Sequence, residues 1–245
     1  MRERIRNIKG IVIRTRAFME NDMCVNVLTE TGEKLDLIVK GARNGTSKRK
    51  PHLELMNLVS GTIYESRNNS YLQSVVCEKS FHRLKNSCQS VFSCYELLDL
   101  VNHSVLPDDP QPEIYEILKN TFDFLDSDKP HFFAVDFALI KLADRLGFLP
   151  SFKNCGLCHR IMNEEIFLNW ENCAVHCVNC KSEHESSLEM KYRKAIEFFR
   201  VASHEILHKI SLSEEECETL RSIIETALLK SLPNRRYKPV PVQPF

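Results

Sequence analysis

The sequence predicts an α+β, multi-domain protein: a β-rich N-terminal third is followed by a helical remainder that carries a cysteine-rich insertion. Three observations predict this. Short β-branched segments fill residues 1–83, the apolar residues recur at helical spacing from residue 84, and two Cys-x-x-Cys pairs interrupt the helical pattern. The expected domains are a β-barrel at 1–83 and an all-α domain at 84–245, with the insertion at 151–186.

Five segments of the N-terminal third have strand character, since they are rich in β-branched residues and partly alternate between apolar and polar. These segments are residues 8–16, 23–29, 34–40, 53–66 and 70–81. Five strands in about eighty residues suit a small barrel of the oligonucleotide-binding (OB) type. A polar loop replaces the helix that usually joins the third and fourth strands of that fold.

This polar loop, residues 40–50, contains five cations, two glycines and no acid. Clustered Lys and Arg side chains gain affinity for phosphates through counterion release, so the loop predicts a DNA contact. A solvated loop is the alternative. The cations expected at the interface are Arg14, Arg16, Lys40, Arg43, Lys48, Arg49 and Lys50. Tyr64 and Tyr71 either stack on bases or pack in the barrel.

The charge distribution favours the N-terminal third as the site for a polyanion. The whole chain has a formal net charge of zero, but residues 1–84 carry 15 basic and 9 acidic residues. Residues 85–150 carry 5 basic and 11 acidic residues. A polyanionic partner is therefore expected at the barrel. The basic tail at 233–239 is either a disordered end or a second contact for a polyanion.

The helical remainder contains five segments with an apolar period close to 3.6 residues. The third segment opens at Asp128 or Lys129, is apolar around most of its circumference, and is expected at the centre of the helical domain. Ser213 and Glu216 form a capping-box signature for the last helix. The segments are residues 91–105, 112–126, 128–146, 188–208 and 213–232.

The two Cys-x-x-Cys pairs have the spacing of a zinc site, since each pair can form a tight turn that directs both thiolates at one point. The expected ligands are Cys155, Cys158, Cys177 and Cys180. Four thiolates leave no open coordination position, so one structural zinc ion per chain is predicted. A zinc deaminase would need a His-x-Glu upstream of Pro-Cys-x-x-Cys, which is absent. Cys173, His176 or His159 remains an alternative ligand.

Other features of the sequence favour a soluble, cytoplasmic protein without enzymatic activity. The chain has no apolar run of membrane-spanning length and no apolar N-terminal segment of signal-peptide type. Its ten cysteines are therefore expected to be reduced. No nucleophile–base motif, phosphate-binding glycine loop or dinucleotide fingerprint is present.

This arrangement resembles the bacterial recombination mediator family RecO: an OB-like barrel with Lys40-Gly41-Ala42-Arg43 after its third strand, an all-helical remainder, and four cysteines between helices. The resemblance implies a non-enzymatic protein that binds single- and double-stranded DNA and anneals complementary strands. It also implies work with RecR to load RecA onto DNA coated by SSB, near the bacterial nucleoid. Lys40 and Arg43 match the family's basic motif, and the cysteines match its zinc ligands. The alternative is a protein-interaction adaptor of the repair machinery with little DNA affinity of its own.

Overall fold

The structure is a computed structural model that describes residues 4–232 of the 245-residue chain. The described residues divide into two compact units, one ending at Pro130 and the other beginning at His131. The basic tail at 233–239 lies outside the described residues. Between residues 4 and 232, no helix combines the length and the apolar character needed to cross a membrane.

Five strands form the sheet of the first unit, in agreement with the predicted number. Their bounds are Arg4–Phe18 (β1), Asp22–Thr29 (β2), Lys34–Val39 (β3), Leu58–Glu65 (β4) and Ser70–Lys79 (β5). The strands are hydrogen-bonded in the order β1-β2-β3-β5-β4, and β1 also pairs with β4, so the sheet closes into a barrel. The β3–β5 pair is parallel and the other pairs are antiparallel.

Apolar side chains from every strand fill the barrel interior, because successive residues of a strand point to opposite faces of the sheet. One such residue from each strand, in chain order, is Val12, Val25, Leu37, Ile63 and Leu72. None of these five is more than 2% exposed. Part of the opposite face is covered as well, since Ile11, Ile13 and Leu28 are at most 3% exposed, whereas Arg14, Arg16 and Ile5 are exposed.

A β-bulge between Val12 and Arg14 shifts the register of β1 against β2. As a result, Arg14 lies opposite Asn26 and Arg16 lies opposite Cys24. A slip of one residue exchanges the two faces of a strand, so the bulge places both arginines on the outside of the barrel. Both are exposed.

The predicted strand at 53–66 is wrong at its beginning. A 3-10 helix occupies Lys50–Leu53, and β4 starts only at Leu58. Pro51 lies in the first turn of this helix and has no N–H to donate to a strand ladder. Leu53 packs instead in the barrel core, with 2% exposure.

Three helices belong to the first unit: His82–Asn86 (α1), Cys88–Ser104 (α2) and Pro112–Leu125 (α3). The Nζ atom of Lys34 on β3 donates to the carbonyl of Asn102 on α2 over 2.7 Å. The N–H of Gln111, before α3, donates to the carbonyl of Gly32 over 3.0 Å. A Cβ atom on Gly32 would lie 2.2 Å from the Gln111 backbone, so this approach needs glycine. Through these contacts α2 and α3 belong to the same compact unit as the barrel, which extends to Pro130. The domain predicted from the sequence ended at residue 83.

The second unit contains Ala134–Arg145 (α4), Met190–Val201 (α5) and Glu214–Ser231 (α6). Helix α4 has the central position predicted for the third helical segment. Its Phe137 ring is fully buried and meets the Phe199 ring of α5 edge-on at 5.5 Å. Its Asp136 carboxylate forms an ion pair with Arg221 of α6.

Two predicted helix boundaries in this unit are wrong. Helix α4 begins at Ala134 and not at Asp128 or Lys129. Proline disfavours helical backbone angles at the residue before it, and Lys129 directly precedes Pro130. The segment 188–208 divides into α5 and a 3-10 helix, His204–His208, separated by two extended residues. The capping box of α6 is confirmed.

The insertion lies in the chain between α4 and α5, as predicted. It contains a three-stranded antiparallel sheet with the strand order β7-β6-β8. The strands are Ile166–Asn169 (β6), Ala174–His176 (β7) and Ser186–Leu188 (β8). The Cys-x-x-Cys segments precede β6 and follow β7, so the fold of this small sheet determines how they meet.

Candidate metal centre and nucleic-acid interface

The four predicted cysteine ligands form one cluster in the second unit. Their Sγ atoms all lie within 4.8 Å of one another, and the Sγ atoms of Cys158 and Cys177 are 3.9 Å apart. A tetrahedral zinc site with Zn–S bonds of about 2.3 Å requires sulfur atoms about 3.8 Å apart. The donor set and its spacing therefore fit a metal ion. We call these four residues the cysteine cluster.

Each Cys-x-x-Cys segment forms a tight turn closed by backbone hydrogen bonds. In the first turn, the N–H of His159 donates to the carbonyl of Cys155 over 2.9 Å. In the second turn, the N–H of Cys180 donates to the carbonyl of Cys177 over 2.9 Å. The N–H of Gly156 also donates to Val175 of β7 over 2.8 Å, and this bond holds the two turns side by side.

The thiols of the cluster differ in how readily they ionise. Burial opposes ionisation of Cys155, but backbone N–H groups directed at its sulfur outweigh burial and lower its pKa to about 6. The neighbouring sulfurs of Cys177 and Cys158 raise the pKa of Cys180 to about 12. A metal ion bound at the cluster would supply the positive charge that stabilises four neighbouring thiolates.

The three alternative ligands lie outside the cysteine cluster. The Sγ atom of Cys173 lies 3.3 Å from the carbonyl oxygen of Phe148. His176 forms a hydrogen bond with the carboxylate of Glu185, and His159 is exposed. The geometry therefore favours the four-cysteine donor set.

In the first unit, residues 40–50 follow β3, and we call them the basic loop. Two of its arginines are tied to main-chain carbonyls. Arg43 donates to the carbonyls of Met19 and Glu20 at 3.3 and 3.1 Å. Arg49 donates to the carbonyl of Leu72 over 3.0 Å and also to that of Lys40. These contacts fasten the loop to the barrel.

Asp22 holds the beginning of the basic loop. Its carboxylate accepts hydrogen bonds from Lys40 Nζ and from the N–H of Gly41, each over 2.8 Å. Both bonds stabilise the ionised carboxylate and lower the pKa of Asp22. Lys48 and Lys50, by contrast, are exposed on the far part of the loop.

The outer face of the barrel brings Tyr64 and Tyr71 side by side. They are partners in the β4–β5 ladder, and their ring centroids are 6.3 Å apart. Ile5 is the partner of Tyr64 on β1, and Ile38 is the partner of Tyr71 on β3. We call Ile5, Tyr64, Tyr71 and Ile38 the tyrosine strip. The strip crosses four strands. Both tyrosines lie outside the barrel core, because their sequence neighbours Ile63 and Leu72 point into it.

Cations lie next to this strip. The Nζ atom of Lys40 is 5.9 Å from the ring centroid of Tyr71. On the other side of Ile38, the ladder continues to Cys24 and then to Arg16. Arg14, Arg16 and Lys40 therefore share the outer face of β1–β3, in part because of the bulge in β1.

Two family matches cover most of the chain. Residues 1–81 match the family described as "Recombination protein O N terminal", and residues 92–238 match "Recombination protein O C terminal". The chain belongs to the recombination protein O (RecO) family. The family resemblance inferred from the sequence is thereby confirmed. The gap between the two RecO matches includes the predicted domain boundary at 83/84, whereas the compact units divide at Pro130.

Curated RecO relatives from several bacteria are similar to the chain. A "DNA repair protein RecO" from Syntrophobacter fumaroxidans is 29% identical over 66% of this chain, and the match spans 65% of the relative's length. A protein of the same name from Thermoanaerobacter is 25% identical over 93% of this chain and 92% of the relative. A chain from the S. pombe Stn1-ten1 complex matches 40% of this chain and 77% of its own length with 15% identity. Its TM-score of 0.25 is too low to show a shared fold.

The structure places a buried polar pair beside the candidate metal centre: the sequence analysis named His176 only as an alternative ligand and missed Glu185. His176 and Glu185 form a pair at 2.7 Å whose side chains are 5% and 4% exposed. Glu185 also accepts from Asn169 of β6 over 2.9 Å and from Ser182 over 3.1 Å. The pair thus ties the small sheet to the segment after the second cysteine turn. No spacing rule in the sequence indicates it.

Arg193 of α5 is a second missed residue, with 7% exposure. Its guanidinium donates to the carbonyls of Phe152 and Met162 at 2.7 and 2.9 Å, and to that of Glu164 at 3.4 Å. These carbonyls belong to the irregular segment around the first cysteine turn. Arg193 therefore anchors the insertion to α5, although in the sequence it is one of several cations on a helix.

Proposed function

We propose that this member of the RecO family is a DNA-binding recombination and repair mediator without enzymatic activity. The proposed site is the outer face of an OB-like barrel, where it binds single- and double-stranded DNA and anneals complementary strands. The observation that supports this proposal is that Arg14 and Arg16 share one outer face of the barrel with Lys40, the first residue of the basic loop. Such a surface attracts phosphates through counterion release.

Five of the seven predicted cations divide into two kinds, while Arg16 and Lys40 are exposed but also contact Cys24 and Asp22. Lys48, Lys50 and Arg14 are exposed and offer their charge directly to phosphates. Arg43 and Arg49 give some of their hydrogen bonds to main-chain carbonyls, so they shape the loop as well as adding charge. We therefore propose all seven as interface residues, with the two loop arginines in a positioning role.

The proposed partners follow from the family. RecR and SSB are the expected protein partners, and loading of RecA onto SSB-coated single strands is the expected outcome, in the bacterial cytoplasm and near the nucleoid. The names of the curated relatives, "DNA repair protein RecO", support a role in repair. The alternative is an adaptor that binds these proteins and has little DNA affinity of its own.

The proposed metal is one structural Zn²⁺ ion per chain, held by the cysteine cluster. Four thiolates complete a tetrahedral coordination sphere and leave no position for a reactive water. The metal would hold together two cysteine turns and a small sheet of only three short strands. X-ray absorption of the purified protein is expected to give one zinc with four sulfur ligands, and a nitrogen or oxygen ligand would contradict the proposed site.

Equilibrium binding of a single-stranded oligonucleotide at several salt concentrations tests the DNA-binding proposal. If five phosphates are neutralised, log K should fall with log [salt] with a slope of roughly −3.5. Absent or salt-independent binding would overturn the proposal. Formation of complexes with RecR or SSB under conditions where DNA binding is absent would favour the adaptor.

A further inference from the structure

The tyrosine strip is an apolar, aromatic surface outside the barrel core. Ile5 is 64% exposed, and the side chains of Tyr64, Tyr71 and Ile38 are half-buried. Each of the four is the direct ladder partner of the next, so they form one row across β1, β4, β5 and β3. The interior is already filled by other residues of the same strands, such as Ile63 and Leu72.

The two tyrosine rings offer a surface suited to flat aromatic ligands. Neighbouring strands are about 4.8 Å apart, and ladder partners project in the same direction. The rings of Tyr64 and Tyr71 are inclined by 32°, with centroids 6.3 Å apart. This arrangement leaves room for two successive bases of an extended strand, one on each ring.

The charges around the strip fit a ligand that is aromatic and polyanionic. Lys40 lies over the ring of Tyr71, and Arg16 follows beyond Ile38 and Cys24. Two acids near the strip are paired with cations, Asp22 with Lys40 at 2.8 Å and Glu65 with Arg6 at 2.9 Å, while Asp36, two residues before Ile38 on β3, accepts a hydrogen bond from Asn26. The phosphates of a strand whose bases contact the tyrosines would therefore meet cations on the β3 and β1 sides.

A duplex cannot use this strip, because its bases are already paired and stacked on one another. An unpaired strand exposes the faces of its bases, and stacking of a base on an aromatic side chain does not depend on base identity. We propose that the tyrosine strip stacks unpaired bases and thereby makes the interface selective for single-stranded over duplex DNA. The proposal rests on the proposed DNA-binding function and adds the strand type that the site prefers.

Three oligonucleotides of equal length separate the contribution of the bases from that of the phosphates. They are a mixed-sequence single strand, an abasic strand with the same number of phosphates, and a duplex. For the full-length wild-type protein, we expect the single strand to bind at least about 25-fold more tightly than the abasic strand, from stacking of two bases that each contribute about 5-fold or more. This comparison needs no variant, so it does not depend on the folding of one. Equal affinity for the two strands would overturn the proposal.

The substitution Tyr71→Leu removes the ring but keeps an apolar side chain. We expect it to weaken single-strand binding by about 5- to 100-fold and to leave abasic-strand binding and the salt slope unchanged, since no charge is altered. Tyr71→Phe keeps the ring and should bind like the wild type. Tyr95→Leu is the matched control, because Tyr95 is an exposed tyrosine on α2, away from the strip.

Two contrary results are distinguishable. A folded Tyr71→Leu variant that binds the single strand like the wild type, or that loses affinity for all three oligonucleotides equally, would overturn the stacking proposal and leave DNA binding by the barrel intact. A wild-type protein that binds none of the three would overturn the proposed function itself.

Discussion

The cysteine cluster and the outer face of the barrel each bring together groups that carry like charge when ionised. The repulsion between these charges is compensated differently in the two regions. In the cluster, two of the four sulfur-bearing residues, Cys155 and Cys177, are at most 2% exposed. Thiolates at buried positions need a bound cation to compensate their charge, and such a cation is bound as the protein folds. On the barrel, Arg14, Arg16 and Lys48 remain exposed to solvent. Mobile counterions are sufficient there, and a polyanion can replace them.

This difference predicts that the first region is structural and that the second is open to a ligand. An ion bound in the cysteine cluster would be partly enclosed by protein, since Cys155 and Cys177 are buried. An exposed cluster keeps its charge available for exchange. The following predictions test the distinction, beginning with the largest expected effect.

The substitution Cys155→Ser should abolish metal binding and unfold the insertion. Metal binding in zinc-finger peptides contributes roughly 10 to 16 kcal/mol, far more than the insertion can replace by apolar burial. The expected result is loss of zinc by elemental analysis and a changed emission of Trp170, the single tryptophan of the chain, which follows β6.

Cys173→Ser is the matched control for this prediction, because Cys173 belongs to the same insertion but lies outside the cluster. It should keep its zinc. If the barrel carries the DNA site, Cys155→Ser should also retain the affinity of the wild type for single strands. Loss of zinc from the control, or retention of zinc by Cys155→Ser, would contradict the assigned ligands.

The substitution Arg193→Met should lower the free energy of unfolding by about 3 kcal/mol, because it leaves buried carbonyls without a hydrogen-bond donor. Urea denaturation followed by Trp170 emission measures the change. Lys194→Met, at the neighbouring exposed position of α5, should change stability by no more than about 0.5 kcal/mol. Equal effects of the two substitutions would show that Arg193 does not anchor the insertion.

The double substitution Lys48→Ala/Lys50→Ala should weaken DNA binding equally for all sequences. Two fewer phosphate contacts should change the single-strand salt slope from roughly −3.5 to roughly −2.1. Lys153→Ala/Lys194→Ala removes two exposed lysines of the second unit and should leave the slope unchanged. A wild-type slope for the loop variant would exclude these lysines from the interface.

The smallest effect is expected from Asp22→Asn. The bonds from Lys40 and Gly41 lower the pKa of Asp22 in the folded state below its unfolded value of about 3.9. The carboxylate therefore contributes stability above the unfolded pKa, and this contribution is lost as pH falls through the lower folded pKa. In urea denaturation, the wild type should be more stable than Asp22→Asn at pH 7, and the difference should shrink below pH 4. A difference that is constant with pH would contradict the assigned contacts.

Local sequence patterns predicted much of the fold and of the metal centre. The five strands appeared in their predicted order, because alternation of apolar and polar residues depends on immediate neighbours alone. The cysteine cluster was predictable for the same reason, since each Cys-x-x-Cys turn places two ligands by local geometry. The capping box at Ser213 and Glu216 is a third local signal that the structure confirms.

Contacts between distant segments decided the rest. The bulge beside Val12, the position of Ile5 against Tyr64, and the three carbonyls held by Arg193 join residues that are far apart in the chain. The extension of the first unit to Pro130 likewise depends on the contact of Gly32 with Gln111. No short window of sequence contains both members of such a contact.

The sequence by itself determined the order of the main strands and helices, the four cysteines of the cluster and the family, because spacing and periodicity are properties of neighbouring residues. Only the tertiary structure decided which cations share a face with Arg14, which arginines of the basic loop are tied to main-chain carbonyls, and that the tyrosines lie outside the core. The physical reason is the strand register. A shift of one residue moves a side chain to the opposite face of the sheet, and the whole barrel must close before that register is fixed.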